Sequence, residues 1–318
     1  MSISLPNYIK KITLILFFFT SVSCDDKVVK NDKFNIDRFE KKFYNSDEAD
    51  LNELKNKYPY FFPNSFPESV WINRLNDPIQ QEIFSEIQKE YESIEFLEIE
   101  LSKFFKKHKE IDNTFTQPKV ITVNTDVDYK NKIILTDSLL LIGLDNYLGS
   151  NHPFYDGLPF YIKEDFTSRN IMSDIAEKFA INLVPRIEFY TFLDKIIYYG
   201  KILYYKDFSL DIEERFKIGY SEDKIKWAEE NEYFVWTYFV ENNILFNPDN
   251  KLINRFIDDA PFSRFYLEID NDSSEMIGKY IGWQIVKSYM NNNDISLIQM
   301  IKNSPSNIYN NSKYKPKK

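Results

Sequence analysis

The chain has one cysteine, Cys24, and its surroundings indicate which chemistry that thiol can perform. With no partner for an internal disulfide, it is a buried thiol, a nucleophile, an intermolecular bridge or a point of covalent modification. Lys10 and Lys11 precede an apolar run from Ile12 to Phe19, and small residues then lead to the cysteine. A positive start, a short apolar core and a small-residue exit are typical of a secretory signal peptide. The run is also shorter than the roughly 20 residues that span a bilayer.

The residues before Cys24 resemble the lipobox of bacterial lipoproteins, in which the signal is cut before the cysteine and the thiol then carries acyl chains. The lipobox prefers leucine at the third position before the cysteine, where this chain has Ser21. Acyl chains anchor a protein because each buried methylene contributes about 0.8 kcal/mol. We predict a lipoprotein signal peptide over residues 1–23, lipid attachment at Cys24 and a flexible tether over 24–33. The alternative is an ordinary cleaved signal with Cys24 as an accidental neighbour.

Residues suited to catalysis are scarce in the rest of the chain, which has two histidines. His108 lies at a polar, lysine-flanked helix end, so we expect it to be solvated. His152 lies in a loop near Asp156, where a histidine could act as a base or bind a metal but more often caps a turn. The sequence contains no GxSxG, CxxC, HExxH or phosphate-loop motif. We therefore predict no catalytic residue, no metal site and no cofactor.

The acidic run Asp270–Asp272 resembles the start of a calcium-binding loop. Glu275 stands where such a loop needs glycine, and Ile281 stands where it needs the closing glutamate. The alternative that we prefer is a capping box, in which Asp272 and Glu275 start the next helix.

Glu232 is the carboxylate that is hardest to place on a protein surface. It falls within the apolar stripe of a predicted helix, and a buried carboxylate needs a donor or a cation. We predict a structural ion pair with an arginine such as Arg186, Arg255 or Arg264.

The composition favours a large globular domain that does not bind nucleic acid. The net charge is −9, and it becomes −11 when residues 1–23, with Lys10 and Lys11, are removed. An acidic surface is a poor match for phosphates. Aromatic residues make up 17% of the chain and can fill a core. They could also form sugar-binding platforms, although no aromatic-polar repeat stands out.

The periodicity of apolar residues predicts mostly helices and a small sheet, an α+β fold that is predominantly α-helical. Strands are predicted at 119–124 and 132–137, as neighbours in the sheet, and a further apolar run at 139–144 could start another element. We predict one α-rich globular domain over 34–302 and a disordered basic tail over 303–318. The predicted helices are 78–107 capped by Asp77, 168–183, 187–205, 222–242 capped by Ser221, 276–290, and 295–301 capped by Asp294.

Four stretches resemble the gliding motility-associated lipoprotein GldB family of the Bacteroidetes. They are Tyr147–Tyr161 (YLGSNHPFYDGLPFY), Ile196–Tyr205 (IIYYGKILYY), Leu245–Asp270 and Ile277–Met290 (IGKYIGWQIVKSYM). The resemblance implies an acylated cell-envelope protein that is needed for surface gliding and works beside secretion machinery. It implies no enzymatic activity.

The same order of parts is similar to a zincin peptidase that has lost its metal. Those enzymes carry HExxH on one helix and a third ligand, glutamate, on a later helix. Here Ala176 and Ala180 would replace the histidines, Tyr199 would replace the third ligand, and Glu177 would remain as the general base. Gly200 inside a helix costs about 1 kcal/mol relative to alanine, so it also indicates close packing against another backbone.

These observations predict a lipid-anchored protein of the cell envelope, facing the periplasm or the cell surface. We expect a non-catalytic structural or accessory component of the gliding and secretion machinery. Its predicted partners are the membrane, through the N-terminal lipid, and other gliding-motility or secretion proteins. The alternative is an envelope peptidase-like hydrolase on a zincin-like scaffold, and a glycan binder is a third possibility.

Overall fold

Helices predominate over one small sheet in the computed structural model, which describes residues 34–186 and 188–318. This architecture confirms the predicted α+β class. The predicted signal peptide at 1–23 and the tether at 24–33, with Cys24, lie outside the described residues. Within those described ranges, no helix has the length and apolar character that crossing a bilayer requires.

The sheet has four strands, which are β1 Asp37–Arg38, β2 Lys119–Val123, β3 Ile133–Leu135 and β4 Leu139–Gly143. Their order in the sheet is β1-β2-β4-β3. The strands β1, β2 and β4 are parallel, and β3 runs antiparallel to β4 at one edge. The strands predicted at 119–124 and 132–137 correspond to β2 and β3. The prediction that they are neighbours is wrong, because β4 lies between them. The tight turn after β3 forms a hairpin with β4, in which Thr136 N donates to Leu139 O at 2.8 Å.

The helices surround the sheet and form most of the core. In chain order they are α1 Phe39–Tyr44, α2 Leu51–Lys57, α3 Glu68–Asn76, α4 Pro78–Glu90, α5 Glu95–Ile111, α6 Phe160–Lys163, α7 Ile171–Leu183, α8 Phe192–Ser209, α9 Glu214–Ile218, α10 Glu222–Glu241, α11 Lys251–Phe256, α12 Ile277–Asn292, α13 Leu297–Lys302 and α14 Pro305–Ser312.

Two predicted helix starts are confirmed by their caps. The Asp77 carboxylate accepts from Ile79 N at 2.8 Å and starts α4, and the Ser221 hydroxyl caps α10. The predicted single helix from 78 to 107 is two helices, α4 and α5. The break follows from the burial of Tyr91, which ends α4 and donates its hydroxyl to Tyr147 O at 2.6 Å.

Three other helix starts differ from the prediction. The capping box of Asp272 and Glu275 is wrong, because Met276, in a left-handed conformation with φ 50°, precedes α12 without a side-chain cap. Ser296, rather than Asp294, caps α13. The predicted start at Ile187 lies outside the described residues, and α8 begins at Phe192 after a capping box at Thr191.

The helices α8 and α12 cross at glycines and touch backbone to backbone. A Cβ atom on Gly200 would lie 2.3 Å from the carbonyl oxygen of Gly282. A Cβ on Gly282 would lie 1.8 Å from the carbonyl oxygen of Ile196. The prediction that Gly200 packs against another backbone is confirmed, and glycine is required on both helices of the crossing.

The C-terminal segment is folded, so the prediction of a disordered tail over 303–318 is wrong. Ser304 caps α14, and the Ile308 side chain in that helix is fully buried. Beyond α14, the Tyr314 hydroxyl donates to a Glu232 carboxylate oxygen at 2.7 Å. The abundance of Asn and Lys suggested a solvated tail, but a few well-spaced apolar residues suffice to pack the segment on the core.

We expect Ile308→Val to lower the free energy of unfolding by about 1 kcal/mol, since it removes one methyl group from a packed site. Urea denaturation of the purified protein measures this loss. The matched control is Ile79→Val, at an isoleucine that is 63% exposed, and it should leave stability unchanged. Equal effects of the two substitutions would contradict the packing of α14.

Candidate functional site

A charged cleft of about 400 Å³ is the strongest candidate for a site. Its walls come from the segment before β3, α6 and the loop between α6 and α7, one face of α7, the last turn of α8, α9 and the start of α12. These parts are far apart in sequence and meet because α7 packs against both β3 and α8.

At one end of the cleft, a lysine is shared by two aspartates. The Lys132 ammonium lies 2.9 Å from an Asp174 carboxylate oxygen and 3.3 Å from an Asp165 oxygen. The Tyr147 hydroxyl also donates to Asp174, at 2.7 Å. Asp174 lies in the first turn of α7, where the helix dipole favours a negative charge. The arrangement satisfies the buried ammonium and leaves further carboxylate lone pairs towards the cleft.

Further along the cleft, Lys206 of α8 binds three acceptors. Its ammonium, only 3% exposed, lies 2.7 Å from a Glu177 oxygen, 2.9 Å from Lys217 O and 3.1 Å from Ser173 Oγ. Glu177 is the opposite case, because its side chain is 45% exposed. The buried ammonium of Lys206 therefore forms an ion pair with the Glu177 carboxylate, which is partly exposed to solvent.

Two of the carboxyl groups that line the cleft, those of Asp165 and Glu177, differ in pKa. Burial raises the pKa of Asp165 to about 6, against the attraction of Lys132 and with the repulsion of Asp174. Burial would also raise the pKa of Glu177, but the charges of Lys206 and Lys279 lower it to about 2. At neutral pH the cleft thus combines a carboxylate that keeps its charge with one that gains a proton readily.

The residues that the zincin comparison singled out lie beside this cleft. Glu177 lines it, whereas Ala176 and Ala180 are fully buried in the core on the other side of α7. Tyr199 lies under the Lys279 ammonium, 5.1 Å from its ring centroid. Across residues 34–186 and 188–318, no group of three or more His, Cys, Asp or Glu side chains is placed to hold a metal ion.

The two histidines have structural roles away from the cleft. The prediction of a solvated His108 is wrong, because its ring is buried among aromatics and its Nδ1 lies 2.7 Å from the Tyr205 hydroxyl. Burial lowers the pKa of His108 to about 4. His152 caps a short turn, as predicted, by accepting from Phe154 N at 3.3 Å. In the described part of the chain its charged neighbour is Glu86, at 3.5 Å, rather than Asp156.

The remaining acidic candidates also serve the fold. Glu232 is partly buried, but its donors are the hydroxyls of Tyr314 and Tyr280, at 2.7 and 3.4 Å, so the predicted arginine pair is wrong. Hydroxyl donors satisfy a carboxylate that is only half buried without a buried cation. The Asp270 carboxylate accepts from the backbone N–H groups of Phe265, Tyr266 and Leu267 and so shapes a loop.

Sequence reasoning missed most of the cleft. Lys132, Asp165, Asp174 and Lys206 carry no motif, because they come from separate elements and meet only in the fold. Glu177 drew attention through its place in AEKFA, a five-residue pattern that occurs easily by chance. The one usable signal was the presence of lysines such as Lys206 in the largely apolar and aromatic α8.

Comparison with known proteins identifies a family for this chain. The family model described as gliding motility protein GldB matches residues 23–316, nearly the whole chain. No curated protein and no solved structure matches significantly. The similarity to a zincin scaffold therefore stays a prediction.

Proposed function

Because the chain belongs to the gliding motility protein GldB family, we propose that it is a lipid-anchored, non-catalytic component of the gliding machinery in the cell envelope. The observation that carries this proposal is the family match, which begins at residue 23, beside the cysteine of the lipobox-like segment. Acylation at Cys24 would fix the domain at a membrane surface. The charged segment from Asp25 to Lys33 would let it reach other gliding and secretion proteins.

The state of the charged cleft supports a role in binding rather than catalysis. Glu177, the residue expected to act as base in a peptidase, is engaged by the buried Lys206. The Asp165 and Asp174 carboxylates are likewise engaged by Lys132. The hydrolase alternative has its own test, since stoichiometric zinc in metal analysis of the purified protein would favour the enzyme.

We expect Cys24→Ala to move the protein from the membrane fraction to the soluble fraction of lysed cells and to abolish gliding. Fractionation with immunoblotting measures the first effect, and colony spreading measures the second. The matched control, Asp32→Ala in the same segment, should remain membrane-bound and support gliding. A Cys24→Ala protein that stays in the membrane fraction would refute the anchor. Normal spreading with a released protein would refute the need for anchoring.

A further inference from the structure

A second cavity lies beside the charged cleft. It measures about 350 Å³ and is lined by the ends of the α6–α7 loop, α9 and the start of α10. Asp165, Asn170 and Phe216 line both cavities, so the two cavities are neighbours. Two neighbouring cavities offer more contacts to a chain-like ligand than to a compact one.

The charges of the larger cavity are balanced, which argues against a ligand with a strong net charge. Five lysines and five carboxylates line it. The most buried of them already form ion pairs, as described for Lys132 and Lys206. An anionic ligand would face the carboxylates at short range, and a cationic one would face the lysines. A hydroxyl group suits both, since it donates to a carboxylate and accepts from an ammonium.

An amide between the two cavities offers an N–H donor. Asn170 is 5% exposed, and its Oδ1 accepts from the Thr167 hydroxyl at 2.7 Å. Its Nδ2 donates to no group in residues 34–186 or 188–318, and it is not fully buried among them. This N–H can therefore donate to a ligand oxygen in the cleft.

Aromatic rings stand on the wall of the same cleft. Tyr129 and Tyr161 are partly exposed there, and Tyr161 has no hydrogen-bond or ring partner among the described residues. Phe216 lies between the two cavities, with the Arg215 guanidinium 4.0 Å from its ring centroid. Rings beside hydrogen-bonding side chains fit a molecule that is apolar on its faces and polar at its edges, as a sugar ring is.

We propose that this cleft binds an uncharged, hydroxyl-rich glycan segment, with its hydroxyls on the paired carboxylates and lysines and a sugar face on Tyr161. Nothing in this proposal depends on the lipid anchor at Cys24. It places a ligand on a cleft that the proposed motility role leaves unassigned.

Calorimetric titration of the purified protein, in a detergent without sugar groups, tests the proposal. The probes are neutral tetrasaccharides of glucose, mannose and N-acetylglucosamine, with tetragalacturonate as the anionic comparison. We expect at least one neutral tetrasaccharide to bind with a Kd below about 1 mM, and tetragalacturonate to bind at least tenfold more weakly. The absence of binding by all neutral probes, or equal binding of the anionic one, would overturn the proposal.

Tyr161→Ala should weaken the binding of the neutral tetrasaccharide at least tenfold without lowering the melting temperature. The matched control is Tyr190→Ala, at a tyrosine outside the cleft that is 67% exposed, and it should bind normally. Equal affinity of the two variants would place the ligand elsewhere and overturn the assignment. Membrane release of Cys24→Ala is measured separately, so failure of the glycan site and failure of the anchor are distinguishable.

Discussion

Gly282→Ala is expected to destabilise the protein by more than about 4 kcal/mol, which is exceptional for the addition of one methyl group. The new Cβ would lie 1.8 Å from the carbonyl oxygen of Ile196, a backbone atom of α8 that no side-chain rotation can move. The two helices would have to separate, and the fully buried Trp283 beside the crossing would lose its packing. A loss of this size is a large part of the roughly 5–15 kcal/mol that stabilises a typical domain.

Urea denaturation followed by tryptophan fluorescence measures this loss, and the sign of the effect decides the interpretation. Alanine favours a helix over glycine by about 1 kcal/mol, so without the crossing Gly282→Ala would stabilise the protein. Gly157→Ala is the control for backbone strain alone, since its φ is +87° and nothing lies within 4 Å of the new Cβ. It should cost about 1–2 kcal/mol. Unchanged or increased stability of Gly282→Ala would refute the close contact of α8 and α12.

Lys206→Met is expected to lower the free energy of unfolding by about 2–4 kcal/mol at neutral pH. The substitution keeps the length of the side chain but leaves Lys217 O with only the Ser173 hydroxyl, at 3.3 Å, as a donor and Glu177 without its ion-pair partner. The loss stays below that of a fully buried pair, because the Glu177 carboxylate is nearly half exposed and water can solvate it.

The difference between wild type and Lys206→Met should depend on pH in a defined direction. The pKa of Glu177 is lowered in the fold from an ordinary 4.5 to about 2, so its contribution to stability is present above pH 4.5 and disappears as the pH falls towards 2. The variant lacks the main charge that lowers this pKa. The stability difference should therefore be largest at neutral pH and shrink in acid.

Urea denaturation at pH 7 and at pH 3 measures this change. Lys106→Met is the matched control, because Lys106 is exposed on α5 and forms no ion pair with any described residue. It should change stability by less than about 0.5 kcal/mol. A difference for Lys206→Met that is as large in acid as at neutral pH would show that the charge of Glu177 is not involved.

Local patterns predicted the features of this fold that depend on local interactions. The apolar run of β2 and the caps at Asp77 and Ser221 lie where the sequence predicted them, because each depends on neighbouring residues. Gly200 was informative because glycine weakens a helix, so its presence inside one indicates that a side chain would not fit there.

Features that depend on contacts between residues far apart in the chain could not be predicted from local sequence patterns. The break at Tyr91 depends on a hydrogen bond to a residue 56 positions away, and the place of β4 between β2 and β3 depends on its parallel pairing with β2, in which Lys119 lies opposite Leu139. The charged cleft could not be predicted from the sequence for the same reason. Asp165 and Lys132 look like ordinary solvated residues until the fold places one beside the other.

The C-terminal helix has a consequence for the order in which the chain can fold. Because α14 packs on both α8 and α12, the layer that these two helices form is covered by a segment that follows both of them in the chain. A chain that emerges N-terminus first, from a ribosome or through an export channel, cannot cover this helical layer until α14 has also emerged. We therefore expect α8 and α12 to keep part of their apolar surface exposed during emergence until α14 is released.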